Sequence, residues 1–295
     1  GERKNMIFKG TATALVTPFT EDDGVDVSAL ERIVEYQIEN GVDALVALGT
    51  TGEPATMSKR EKELVLKTVV KKAKGTLPII VGAGSNDTKT AIENCAFAQD
   101  NGADALLIVT PYYNKCTQEG LVGHFGKIAE STSLPILLYN VPSRTGVNML
   151  PETFGELLKI PNIVGVKEAS GNMEQIEKCI ALSGAKAQVV SGDDALTVPT
   201  IAMGGSGVIS VASNACPAYV SNMTRCALDG DFDKARQMQL AILPLISALF
   251  CEVNPIPVKT AMHSLGFCSP RMRLPLTEMT AKNAKRLCDL LRDFV

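Results

Sequence analysis

The stretch NGVDALVALGTT at residues 40–51 returns as NGADALLIVTPY at 101–112, and TLPIIVGAGSN at 76–86 returns as SLPILLYNVPS at 133–143. Each copy holds a short, nearly unbroken apolar run that ends in Gly, Thr, Pro or Asn. A strand with one wet face would alternate polar and apolar residues. A run that is apolar at successive positions reads as a strand buried on both faces, as in parallel sheets covered by helices. Two such strands recurring in the same order imply a repeated strand-plus-helix unit.

Outward from these copies, runs of the same kind lie at 11–18, 44–49, 78–82, 105–110, 135–140, 163–168, 188–191 and 207–212. Between them are amphipathic segments such as 27–40 and 58–74, the latter with Leu64, Val65, Thr68 and Val69 at helical spacing. Asp26 or Ser28, Ser58, Asp87 and Pro151 stand where helix caps or first-turn residues belong. Eight such units make a (β/α)8 TIM barrel most simply, and nothing in an open doubly wound sheet calls for eight. The barrel is expected over 6–229. An appended C-terminal helical region is expected over 230–295, with helices at 232–250, 255–265 and 280–293 and breaks at Pro244, Asn254-Pro255 and Ser269-Pro270.

A chain of 295 residues, 45% hydrophobic and 21% charged, has ordinary globular usage. Its net charge of -3 gives no electrostatic footprint for nucleic acid or anionic membrane. The longest uncharged stretch, 195–224, is interrupted by Pro199, Gly204, Gly205, Gly207, Asn214 and Pro217, so no membrane span is expected. The eight cysteines form no C-x-x-C and read as reduced in a cytoplasmic protein. With only two histidines, a His-rich metal site is excluded, and neither His124 nor His263, both in helical pattern, is favoured for catalysis. No dinucleotide fingerprint or P-loop occurs, so no cofactor is expected. Gly1 in place of a methionine suggests that residues 1–5 are partly non-native.

In a barrel, chemistry gathers at the carboxyl ends of the strands. The candidates there are GTTGE at 49–53, TPYYN at 110–114, YNVPSRTG at 139–146, GVKEASG at 165–171, SGDD at 191–194 and GVIS at 207–210. Lys167 is the outlier, an amine inside an apolar strand. Alternation puts it on the face opposite Val166 and Glu168, so it points into the barrel mouth if those two face the helices. A neutral amine there can add to a ketone or aldehyde as a Schiff base. Taken alone, the segment fits better with a strand-end lysine snorkelling to solvent. Tyr139 ends its own strand, where a phenol can move protons, and a core tyrosine fits that position equally well. GTTGE offers N–H groups and hydroxyls suited to a carboxylate. Asp193-Asp194 could hold Mg2+, though a helix N-terminus favouring negative charge is the more ordinary reading. The Gly204–Gly207 turn precedes its strand and reads as structural.

GTTGE, PYYNK, YNVPSRTG, GVKEASG, SGDD, GVIS and NPIPVK, in this order, resemble the dihydrodipicolinate synthase family of class I pyruvate aldolases across nearly the whole chain. The resemblance implies that Lys167 forms a Schiff base with pyruvate and that Tyr139, Thr50 and Tyr113 relay protons. It also implies that Tyr113 reaches across a subunit interface, hence an oligomer, taken as a homotetramer built as a dimer of dimers. Thr51, Gly192 and the backbone at Ile209 would bind pyruvate. Arg144 would bind the carboxylate of L-aspartate 4-semialdehyde, giving a precursor of lysine and diaminopimelate. N-acetylneuraminate lyases share the lysine, the tyrosine and the Gly-x-Thr-Gly-Glu turn but lack the arginine, and a bidentate Arg suits a short carboxylated aldehyde. A lyase or dehydratase for sugar-derived 2-keto acids is the alternative within the superfamily, and a non-catalytic keto-acid-binding barrel the remote one. Lys59, Lys62 and Thr90 replace the His or Glu expected in members inhibited by lysine, whereas Ala55, Asn86 and Tyr112 fit. Two ammonium groups repel a cation, so weak or absent lysine inhibition is expected.

Overall fold

The computed structural model describes residues 6–184 and 186–295, so the expectation for residues 1–5 lies outside the described residues. Eight parallel strands close into one barrel: β1 (Gly10–Ala14), β2 (Ala44–Ala47), β3 (Ile79–Gly82), β4 (Ala105–Val109), β5 (Ile136–Asn140), β6 (Ile163–Glu168), β7 (Gln188–Ser191) and β8 (Gly207–Ser210). Closure pairs Gly10 of β1 with Gly207 of β8. Gly207 has φ +146°, and a Cβ there would lie 1.9 Å from the Gly10 carbonyl oxygen, so the first residue of β8 is glycine for closure.

The strands are buried on both faces for the reason their composition suggests. Ala12, Val46, Ile80, Leu107, Leu137, Val190 and Ile209 pack together inside the barrel. Their neighbours Leu45, Ile79, Leu106, Leu138, Val166 and Val208 belong to the larger core shared with the helices. Those helices are α1 (Val27–Glu39), α2 (Lys59–Ala73), α3 (Thr88–Asp100), α4 (Gln118–Glu130), α5 (Pro142–Thr145), α6 (Pro151–Leu157), α7 (Met173–Ser183), α8 (Thr197–Ala202) and α9 (Pro217–Leu228). Asp26 rather than Ser28 caps α1, accepting from the Ala29 N–H at 2.9 Å. Ser58 and Glu61 form a reciprocal capping box at α2, and Asp87 caps α3.

Several strands are shorter than their apolar runs, and at β1 and β8 side-chain acceptors take backbone donors just beyond the strand. β1 ends at Ala14, and the chain then turns so that the Val16 N–H donates to Asn214 Oδ1 at 3.1 Å. β8 ends at Ser210 because the buried Asp194 carboxylate takes the next two backbone donors, Val211 at 2.9 Å and Ala212 at 3.1 Å.

Beyond the barrel come α10 (Phe232–Leu249), α11 (Ile256–Ser264) and α12 (Ala281–Leu291). The break expected at Pro244 is absent, since α10 runs through it. Proline forfeits a bond to the carbonyl four residues back, here that of Leu240, which is 60% exposed. Water can satisfy that carbonyl, while Ile242, Leu245, Ile246 and Leu249 anchor the helix in the core on either side. α10 packs on α8, α9 and α12, which brings the following segment over the carboxyl ends of the strands.

Candidate active site

The cavity at the mouth of the barrel has a volume of about 580 Å³. Thr50 and Thr51 after β2, Tyr139 on β5, Arg144 in α5, Lys167 on β6 and Gly192 after β7 all line it. Lys167 and Tyr139 are register partners on adjacent strands, so their side chains leave the sheet on the same face at the same height. Lys167 Nζ stands 4.2 Å from the centre of the Tyr139 ring. Lys167 is 7% exposed, and among the described residues it has no carboxylate partner. The snorkelling alternative therefore fails: the amine is held against a phenol inside the mouth.

Glu168, adjacent in sequence, points to the other face. Its carboxylate accepts from Asn140 Nδ2 at 3.1 Å, Gln175 Nε2 at 3.2 Å and the Ser170 N–H at 2.8 Å. It is thus satisfied without the lysine. Gly192 makes room for the amine, since a Cβ there would lie 3.0 Å from Lys167 Cε.

Arg144 is an exposed guanidinium on the cavity wall without a carboxylate partner among the described residues. One of its donors, Nη2, reaches the carbonyl of Asn254 at 3.1 Å, which fixes the fork at the rim. Thr51 is buried, and Asn254 Nδ2 donates to its hydroxyl at 3.0 Å. Thr50 is exposed and lines both this cavity and a second one of about 650 Å³.

Two expected residues are not on this cavity's wall. Ile209 is 1% exposed, packed inside the barrel beneath it, and Val211 is the wall residue after β8. Tyr113 has φ +70° and is 90% exposed, while its neighbour Tyr112 lines the second cavity. Within one chain Tyr113 does not meet Lys167.

The pair Asp193-Asp194 divides its work. Asp193 lines the cavity and caps a short turn, accepting from the Ala195 N–H at 2.9 Å. Asp194 is fully enclosed, accepting from Ser210 Oγ and the two N–H groups after β8, and burial pushes its carboxyl above the ordinary range. Among the described residues no three His, Cys, Asp or Glu side chains converge as metal ligands. No helix among them is long and apolar enough to cross a membrane.

Sequence reading missed the C-terminal wall: Ile246, Ser247, Phe250, Glu252, Val253 and Asn254 all line the cavity. It also missed the bond between Lys259 Nζ and Glu53 Oε1, 2.7 Å long and buried. The one sequence signal for both was the motif NPIPVK at 254–259, which periodicity alone does not explain.

A closed parallel barrel that sets a buried lysine against a tyrosine at the carboxyl ends of its strands defines a lyase of the class I aldolase type. The chain belongs to the Dihydrodipicolinate synthetase family, whose sequence model matches residues 7–293. It is 49% identical over 289 residues to the 4-hydroxy-tetrahydrodipicolinate synthase of Thermoanaerobacter sp. (strain X514), covering 98% of this chain and 97% of the relative. Its fold superposes on the dihydrodipicolinate synthase of Thermotoga maritima with a TM-score of 0.96 at 42% identity, covering 98% and 99% of the two chains. It superposes on the chloride-inhibited synthase of Acinetobacter baumannii, solved in complex with pyruvate, with a TM-score of 0.95 at 44% identity, covering 98% and 99%.

Proposed function

We propose that this chain condenses pyruvate with L-aspartate 4-semialdehyde to form 4-hydroxy-tetrahydrodipicolinate, a step toward diaminopimelate and lysine. The observation that carries the reading is the Lys167 amine lying 4.2 Å from the Tyr139 ring in a cavity that also holds the carboxylate-free Arg144. The pyruvate complex of the Acinetobacter baumannii relative supports the first substrate.

Lys167 as a free amine adds to C2 of pyruvate, and the carbinolamine loses water to give the imine. The Tyr139 hydroxyl, with Thr50 and Tyr113, carries protons to and from the oxygen that leaves. Thr51, the glycine at 192 and the backbone at Ile209 hold the pyruvate carboxylate. Loss of a proton from the pyruvate methyl gives an enamine, whose carbon attacks the aldehyde of the second substrate. Arg144 binds that substrate's carboxylate through its planar fork. The substrate's amine then attacks C2, closes the ring and releases Lys167. The sequence releases water and a proton but changes no net oxidation level, so no redox cofactor is required.

The reading includes a homotetramer, a dimer of dimers. Tyr113, held at positive φ and 90% exposed, supports it, since such a side chain serves the relay only beside a neighbouring copy's cavity. We place the enzyme in the cytoplasm on its pattern of eight cysteines with no close pairs.

Borohydride reduction in the presence of pyruvate tests the chemistry. The expected product is a stable mass increment on the Lys167 peptide. Absence of that increment, or its persistence in Lys167→Ala, overturns the mechanism. Turnover of aspartate semialdehyde, set against that of sialic acid or keto-deoxy sugar acids, tests the acceptor.

A further inference from the structure

Asn254 lies between α10 and α11, is 7% exposed, and belongs to the walls of both cavities. It touches two of the residues assigned to substrate binding, through different atoms. Its side-chain amide donates to Thr51 Oγ1 at 3.0 Å, and its backbone carbonyl accepts from Arg144 Nη2 at 3.1 Å. These contacts join the turns after β2 and β5 through a residue more than a hundred positions away from either.

A threonine hydroxyl has one proton to give and two lone pairs to offer. When Asn254 donates to it, one lone pair is used and the proton must go elsewhere. Among the described residues the Thr51 hydroxyl meets no acceptor for that proton, and the residue lines the cavity. We infer that Asn254 is a positioning residue: its amide fixes the direction of the Thr51 hydroxyl so that the proton is presented to the carboxylate of the keto acid. The inference rests on the reading of Thr51 as a ligand of pyruvate. Arg144 depends on the backbone of Asn254 and not on its side chain, so the two substrates respond differently to changes at this position.

Asn254→Asp keeps the shape and reverses the polarity of the bond. The aspartate accepts, so the Thr51 proton turns toward it, and a negative charge stands beside the keto-acid site. The expected result is a rise in pyruvate KM of about tenfold or more, with the KM for aspartate semialdehyde changed by less than about twofold and kcat nearly retained, the pattern of lost ground-state binding. Asn254→Ala leaves the Thr51 proton free to donate and raises pyruvate KM by a smaller factor. Equal effects of Asp and Ala, a larger effect of Ala, or parallel rises in both KM values would overturn the inference, because a merely structural role predicts them.

If the aspartate variant does not fold, Asn254→Leu removes the donor without adding charge. Pyruvate KM must then rise alone, and parallel rises again count against the inference. Thr51→Val separates the two layers. If it leaves pyruvate KM unchanged, the reading of Thr51 as a ligand fails. If it raises KM while Asn254→Asp does not, only the role of Asn254 fails.

Discussion

Glu53 and Lys259 are joined at 2.7 Å across 206 residues of chain, with side-chain exposures of 3% and 0%. The pair fastens the end of the Gly-Thr-Thr-Gly-Glu turn to α11, and Glu53 adopts a left-handed φ of 57° to make it. Burial pushes the Glu53 carboxyl up and the Lys259 ammonium down, while each charge opposes the shift of the other. The Phe19 ring centre lies 4.0 Å from the Lys259 amine and adds a cation–π contact. Breaking one side leaves a buried charge without its ion-pair partner. Lys259→Met is expected to cost about 3 kcal/mol or more, and Glu53→Gln combined with Lys259→Met to recover much of that loss. Urea unfolding at fixed protein concentration measures both, and a double variant no more stable than Lys259→Met contradicts the pairing argument.

Arg144 reaches the cavity with its fork anchored at one nitrogen by the Asn254 carbonyl. Lysine at this position keeps the charge but not the planar two-point geometry. Arg144→Lys is expected to raise the KM for aspartate semialdehyde by about tenfold while leaving pyruvate KM within about twofold. Steady-state kinetics with each substrate varied in turn decides it, and a shift confined to pyruvate removes Arg144 from the acceptor site.

Much of this arrangement is legible in sequence because it is local. Eight apolar runs declare eight doubly buried strands, and Lys167 stands out as an amine inside one of them, although the segment alone fits a snorkelling lysine better and its role enters through the resemblance. Asn254 and the Glu53–Lys259 bond are illegible because their partners lie 203 and 206 residues away, and no periodicity encodes such a pairing. Pro244 misleads for a different reason: the carbonyl it orphans belongs to exposed Leu240, and the flanks of α10 are anchored in the core, so the helix runs on. Tyr113 enters through family resemblance alone. Nothing in TPYYN distinguishes its two tyrosines, and within one chain it is Tyr112 that lines a cavity.

The second cavity bears on regulation. Lys62, Thr90, Ala55 and Tyr112 line it, and Lys59 Nζ stands 6.0 Å from the ring centre of Phe97 on the same wall. One ammonium group on the wall, Lys62, with Lys59 beside the lining residue Phe97, disfavours a cationic ligand. L-lysine is therefore expected to inhibit weakly or not at all, and an inhibition constant in the micromolar range in a steady-state assay would sink the idea. Replacing the charges, as in Lys62→His with Thr90→Glu, is expected to increase sensitivity to lysine.

Glu61 and Arg273 supply a pH dependence whose sign follows from their bond. Arg273 donates to the Glu61 carboxylate and to the Thr56 carbonyl, the latter at 2.8 Å, and its guanidinium lies 4.2 Å from the Phe19 ring centre. Glu61 also accepts from the Ser58 N–H at 2.8 Å within the capping box of α2. The Arg273 bond, ahead of those from Ser58, lowers the Glu61 carboxyl from 4.5 to about 2. A carboxyl depressed in the folded state binds fewer protons there than in the unfolded chain across that interval, so its contribution is complete above the unfolded value and is lost as pH falls toward about 2. Removing the charge removes the dependence. Melting temperatures followed from about pH 5 to about pH 3 are expected to fall less steeply for Glu61→Gln than for the parent, with the variant less stable at neutral pH. Coincident slopes show that the bond contributes nothing to acid sensitivity, and a steeper slope in the variant reverses the assigned sign.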